Sequence, residues 1–198
     1  MNATRGHFGL APLDPSLIYS FVGNGASVLV RRTMGPEASE ALVQEALEFF
    51  IKYYRAHALE HTNLYPGIRA MIEELFSLGH ALSILTNKPV RISCDIVAAL
   101  GLEKYFFRVY GGNSFAAKKP DPIGVYELIR EAGVKASETL LIGDSGVDVQ
   151  TARNAEIACC GVKWGFQPEA FALYPPDLLI GDPRELIEQA EHVRKSDR

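Results

Sequence analysis

From residue 68 onward the spacing of apolar residues alternates between two periods, and that alternation is the main structural signal of the chain. Ile68, Met71, Ile72, Leu75 and Phe76 recur at i, i+3, i+4, i+7 and i+8, which lines up one face of a helix. Ala81 to Leu85 is a short, mostly apolar run, the kind covered on both faces in a parallel sheet. The next helix has Pro89 in its first turn, turns Ile92, Ile96, Val97 and Leu100 inward and stops at Gly101. Strand Phe106 to Tyr110 follows, then a helix with Val125, Leu128, Ile129 and Ala132 inside, ending at Gly133. Further strands are predicted at Thr139 to Ile142, Ile157 to Val162 and Leu178 to Ile180. Asp182-Pro-Arg-Glu185 opens a last helix as a capping box, with Leu186, Ile187 and Ala190 on its buried face. Repeated strand-then-helix units predict an α/β core, an open, doubly wound (Rossmann-like) and largely parallel sheet whose ligands sit at the carboxyl ends of the strands.

Residues 1–64 show only helical spacing. Short helices are predicted around Ser16 to Phe21 and Ala26 to Met34, and a long one opening at Pro36 carries Leu42, Ala46, Phe49, Phe50 and Tyr53 as a broad apolar stripe. The chain therefore divides into a small α-helical domain, residues 1–64, and an α/β core, residues 65–198, with the break at Tyr65-Pro-Gly67. A length of 198 residues suits one buried core plus a small accessory unit. The formal charge of −4 argues against a partner bound through many nucleic-acid phosphates, and no apolar run approaches the length that spans a bilayer. Cys159 and Cys160 are adjacent on a predicted strand and point to opposite faces, so with Cys94 they imply no disulfide framework. A soluble, cytoplasmic protein, monomer or homodimer, is the expectation.

The chemistry lies at or just beyond strand ends. Thr86 and Asn87 bring a hydroxyl, an amide and the free N–H groups of a helix start to one point, an arrangement that binds anions, although Asn87 as a simple helix cap is an equally local explanation. Lys119 lies in Lys118-Lys-Pro-Asp-Pro122, where two prolines stiffen the loop, so its ammonium can serve as a fixed charge beside a phosphoryl group. The alternative is a solvated surface lysine. Asp144 directly follows a buried strand and Asp148 returns one helical turn later, a spacing that suits Mg²⁺ shared with a substrate phosphate. A helix start with Asp144 or Ser145 as cap is the competing interpretation. His57-Ala-Leu-Glu-His61 places two imidazoles on one helix face, but the sequence offers no third zinc ligand.

In this order Thr86, Lys119 and the Asp144/Asp148 pair resemble the second, third and fourth motifs of the haloacid dehalogenase superfamily. Phe21-Val-Gly-Asn-Gly-Ala26, Tyr65-Pro-Gly67, Thr86-Asn-Lys-Pro89, Gly111-Gly112 before Lys118-Lys-Pro-Asp-Pro122, and Gly143-Asp-Ser145 narrow the likeness to its phosphoglycolate phosphatase branch, over nearly the whole chain. The resemblance implies an α/β core with a helical cap and a Mg²⁺-dependent phosphatase for a small phosphomonoester, 2-phosphoglycolate. It implies that Asp144 ligates the metal and Asp148 belongs to the same metal site. Thr86 and Asn87 would hold phosphoryl oxygens, Lys119 would offset developing charge, and Gly23, Asn24 and Gly25 would form the cap loop over the substrate. Those glycines also suit a plain turn between two helices.

In that family a D-x-D-G-T segment after the first strand carries the nucleophile, which forms an aspartyl-phosphate, and the general acid/base. Upstream of Thr86 the sole aspartate is Asp14, in Ala11-Pro-Leu-Asp-Pro15, with no strand leading into it. The expectation is that the sequence begins inside the first cap helix and that the first core strand is missing. That strand would lie between the strands ending at Leu85 and Ile142, so two facing edges would be left unpaired. Each unpaired buried backbone group costs on the order of 1–3 kcal/mol against a total stability of about 5–15 kcal/mol, which favours a late-assigned start codon over a genuinely shortened chain. A noncatalytic phosphate- or metal-binding relative is the second hypothesis, and a receiver-like signalling domain the third.

Overall fold

The computed structural model describes residues 1–188, so the expectation for Ala190 falls outside the described residues. Four helices come first: α1 (Asn2–His7), α2 (Pro15–Ser20), α3 (Ala26–Met34) and α4 (Glu40–His57). Asp14, the aspartate rejected as a nucleophile, caps α2 by accepting from Ser16 N–H, and Pro15 occupies the first helical position. The long helix starts at Glu40 rather than at Pro36, because Ser39 Oγ accepts from Leu42 N–H and sets the cap there. Val30, Met34, Val43, Ala46 and Phe50 close one apolar cluster between α3 and α4. Tyr53 is more exposed than its spacing suggested; it lies at the edge of the stripe, in a ring stack with Phe49 and His57.

The α/β part follows as α5 (Ile68–Ser77), β1 (Leu82–Leu85), α6 (Val90–Ala99), β2 (Phe106–Tyr110), α7 (Ile123–Ala132), β3 (Leu140–Gly143), α8 (Gly146–Asn154), β4 (Ala158–Val162) and β5 (Leu178–Ile180). All strand pairs are parallel, β1 with β2 and β3 with both its successors in the order β3-β4-β5. Among the described residues β1 and β3 are not hydrogen-bonded to each other. Both edges expected to face a missing strand are therefore open. The two small sheets nevertheless share apolar layers on each face. On one side Leu82 and Ile84 of β1 pack with Cys160, Val162 and Ile180 and with Met71, Ile72 and Leu75 of α5. On the other, Leu85 of β1 and Leu141 of β3 meet Val125 of α7 and Val149 and Ala152 of α8. Helices on both faces make the sheet doubly wound. Leu140 and Ile142 on the open β3 edge stay exposed, as does Phe76 of α5, which finds an edge-to-face contact with Tyr105 instead of full burial.

The last described residues begin a helix at 183, where Glu185 accepts from Asp182 N–H as the capping-box pattern predicts. Cys159 and Cys160 point into the two opposite apolar layers and all three cysteines are free. No helix among the described residues is long and apolar enough to cross a membrane.

Candidate functional site

The carboxyl ends of β1 and β3 bring the sequence-predicted residues together. Thr86 N–H donates to Tyr110 O and so extends the β1–β2 ladder by one residue, while Thr86 Oγ1 accepts from Lys88 N–H at 3.1 Å. The hydroxyl is left with its own proton to donate. Asn87, next in sequence, is buried, and its amide nitrogen donates to two carbonyls, Gly23 O in the loop before α3 and Lys119 O in the loop before α7, both at 2.9 Å. Its Oδ1 is buried with no partner. Asn87 thus ties three segments together with its side-chain donors, and its backbone N–H takes no partner among the described residues.

Lys119 crosses from the β1 side to the β3 side. Its Nζ lies 2.6 Å from Asp148 Oδ1, with the two side chains only 13% and 6% exposed. Asp148 Oδ2 accepts from Asp144 N–H and Ser145 N–H at 3.1 Å and from Ser145 Oγ at 2.7 Å. Three donors thus converge on Oδ2, while Oδ1 takes the Lys119 ammonium. Asp148 is accordingly the N-terminal brace of α8 and the counter-ion of Lys119. Asp144 differs. One oxygen, Oδ2, accepts from Phe166 N–H at 3.0 Å, and Oδ1 takes no hydrogen bond among the described residues. A hard cation that keeps most of its waters can be held by one such carboxylate together with substrate oxygens, so the donor set fits Mg²⁺ through Asp144.

The segment after β4 was not singled out in the sequence, yet it completes the site. A Cβ on Gly165 would lie 2.0 Å from Asp144 Cβ, so only glycine lets that backbone pass the aspartate. Phe166 supplies the N–H just described, and Gln167 Nε2 donates to Val22 O in the cap loop at 3.1 Å. The available signal was position: Trp164-Gly-Phe-Gln167 follows a strand end, as Thr86 and Asp144 do. The cap loop is thereby held from two sides, at Val22 by Gln167 and at Gly23 by Asn87. Gly23 offers its carbonyl to the core, and Asn24 makes no hydrogen bond among the described residues. Beneath the site, burial and then the nearby charge of Asp148 push the Cys159 thiol up to about 12. Of the His57/His61 pair, His57 Nδ1 pairs with Glu60 at 2.6 Å, and no cluster of three potential ligands occurs among the described residues.

Residues 1–162 match the family model for haloacid dehalogenase-like hydrolases. A phosphoglycolate phosphatase of Pseudomonas syringae pv. tomato is 36% identical over 176 residues, 86% of this chain and 64% of that protein, so the chain spans about two thirds of its length. One from Vibrio parahaemolyticus is 34% identical over 187 residues, 91% of this chain and 82% of that protein. Among solved structures, one described as a predicted phosphoglycolate phosphatase from Haemophilus somnus superposes with a TM-score of 0.88 at 26% identity, covering 96% of this chain and 88% of that one. β-Phosphoglucomutase from Clostridium difficile shares the fold, with a TM-score of 0.77 at 17% identity, over 100% of this chain and 89% of the other. With a family model matched over most of its length and the family's motif residues gathered at the ends of β1 and β3, the chain belongs to the haloacid dehalogenase-like hydrolases.

Proposed function

We propose that this chain is the metal- and phosphoryl-binding framework of a phosphatase for a small phosphomonoester, 2-phosphoglycolate, that works with Mg²⁺. The observation that carries the proposal is the Lys119–Asp148 pair, which is joined to the Thr86-Asn87 segment through the Asn87 amide and to Asp144 through its N–H on Asp148. Thr86 would donate to a phosphoryl oxygen at the start of α6, where the helix dipole favours an anion. Lys119, locked by Asp148, would hold positive charge beside that phosphoryl group, and a preorganised charge stabilises the transition state without reorganising during the reaction. Mg²⁺ at Asp144 would add Lewis-acid stabilisation to the same oxygens. Asn87 and Gln167 would keep the cap loop over the substrate, excluding water. The relatives' names as phosphoglycolate phosphatases support the choice of substrate.

In the family the attacking carboxylate stands on a strand of the core, and none of the described residues supplies a carboxylate between β1 and β3. For residues 1–198 alone the expected behaviour is therefore binding without turnover. Calorimetry on the 198-residue chain tests the shared site. Mg²⁺ should tighten tungstate, a phosphate analogue, and tungstate should tighten Mg²⁺ by the same factor. Lys119→Ala should weaken tungstate more than Mg²⁺, and Asp144→Ala the reverse. Tungstate binding indifferent to Mg²⁺ and to both substitutions would refute the site. Phosphate released from 2-phosphoglycolate by the same chain, and abolished by Asp144→Ala, would show that another group attacks.

A further inference from the structure

Two consecutive lysines are divided between the core and the cap. Lys119 turns to Asp148, whereas Lys118 Nζ lies against the cap loop, 2.9 Å from where a Cβ of Gly25 would stand. Gly25 has φ +86 and directly precedes α3; its missing side chain is what lets the ammonium come so close, since a Cβ there would also sit 3.2 Å from Asn87 O. Lys118 is partly buried; its carbonyl accepts from Asp121 N–H, yet its ammonium makes no hydrogen bond and no ion pair among the described residues. Nothing in its surroundings neutralises it. The first turn of α3 holds no acidic residue and no side chain caps it, so the nearest helix end adds positive potential rather than relieving it. A partly desolvated cation facing a positive helix end is unfavourable unless an anion comes to lie there.

We propose, resting on the phosphatase reading above, that Lys118 binds the carboxylate of the substrate and so distinguishes 2-phosphoglycolate from phosphomonoesters that lack one. The phosphoryl end is served by Thr86 and Lys119. A second cation one residue away, directed toward the cap, suits a substrate whose two anionic ends are separated by a single methylene and an ester oxygen. Lys118 touches neither the metal carboxylate nor the Lys119–Asp148 pair, so it adds specificity without taking part in the phosphoryl site.

The test compares ligands that differ only at that end. With Mg²⁺ present, calorimetry on the full chain would measure 2-phosphoglycolate, ethyl phosphate, which has a methyl group in place of the carboxylate, and tungstate. The expected preference for 2-phosphoglycolate over ethyl phosphate is roughly ten- to a hundredfold, the scale of one hydrogen bond to a charged group. Lys118→Met should abolish that preference and change tungstate and ethyl phosphate much less, Lys118→Arg should retain it, and Gly25→Ala should lose it by displacing the ammonium. A preference that survives Lys118→Met, or an equal loss for all three ligands, would overturn the assignment, the latter making Lys118 a general cation. Equal binding of the two esters with Mg²⁺-coupled tungstate binding intact would overturn it while leaving the phosphoryl site standing. Absence of tungstate binding would remove the site and this inference together.

Discussion

The helical part and the α/β part of the molecule handle polar groups in opposite ways. Among the helices, apolar side chains close a single cluster and polar ones mend the backbone locally: Asn2 exchanges two hydrogen bonds with Leu13, and Arg5 donates to Ala11 O and Thr33 O. Charged pairs such as Arg31–Glu40 stay at the surface. In the α/β part the sheet is divided, and a buried ion pair, a buried amide and a carboxylate with a spare oxygen collect at the division. The difference shows where this fold keeps its chemistry. The helical unit contributes carbonyls to the site, Val22 O and Gly23 O, and the core supplies the side chains that hold them.

The sharpest way to break that contrast is to remove Asp148. Asp148→Ala would leave Lys119 without its counter-ion in a largely buried position and deprive three donors at the start of α8 of their acceptor, so a loss of about 3–5 kcal/mol in urea unfolding is expected. A loss below about 1 kcal/mol, the scale of an exposed pair, would mean that Lys119 simply turns to solvent and that the division is not the polar focus described. Asn87→Ala is the next largest change. It deprives two carbonyls of their donor and should cost about 1–3 kcal/mol, with amide hydrogen exchange rising in residues 21–25 while α4 is unaffected.

Ser39→Ala probes the other unit. Loss of the α4 cap should cost about 1 kcal/mol and leave tungstate affinity unchanged, because the Ser39 cap bond is made within its own helix start and to no site segment. A matching fall in tungstate affinity would show that the two units are coupled beyond the cap loop. The smallest effect is expected from the buried thiols. Burial raises Cys159 to about 12 and Cys160 to about 11 from an ordinary value of 9.0. In that window the folded chain binds protons that the unfolded chain has released, so the stabilising term is complete below pH 9 and is lost as pH rises through about 11 to 12. Thermal midpoints should therefore be insensitive to these groups at pH 7–8 and fall above pH 9, and mild alkylation at pH 8 should modify the exposed Cys94 alone.

Much of this was legible in one dimension. The bounds of α3, β2 and β5 coincide with those expected from spacing, and Thr86, Lys119, Asp144 and Asp148 were identified because each stands at or just beyond a strand end. Spacing encodes which side of an element is apolar, and the parallel α/β repeat places strand ends at a common rim. It does not encode how wide the buried stripe is, so Tyr53 and Phe76 at its margins came out exposed. Helix α1 escaped notice because six residues containing Gly6 carry no apolar period; it is held by the side-chain bonds of Asn2 and Arg5 to distant backbone.

The same limit governs the site. That Thr86 and two aspartates belong to one centre follows from the order of strands and helices, which the residue pattern by itself determines. Which atom meets which was decided by tertiary structure alone: Lys119 finds Asp148 across 29 residues, Asn87 finds Gly23 across 64 and Gln167 finds Val22 across 145. Those pairings give Asp148 to Lys119 as its counter-ion, leave one oxygen of Asp144 open, and separate Lys118 from Lys119. The physical reason is that a hydrogen bond requires donor and acceptor within about 3 Å at a near-linear angle, a condition set by how whole elements pack and not by the local period that formed them.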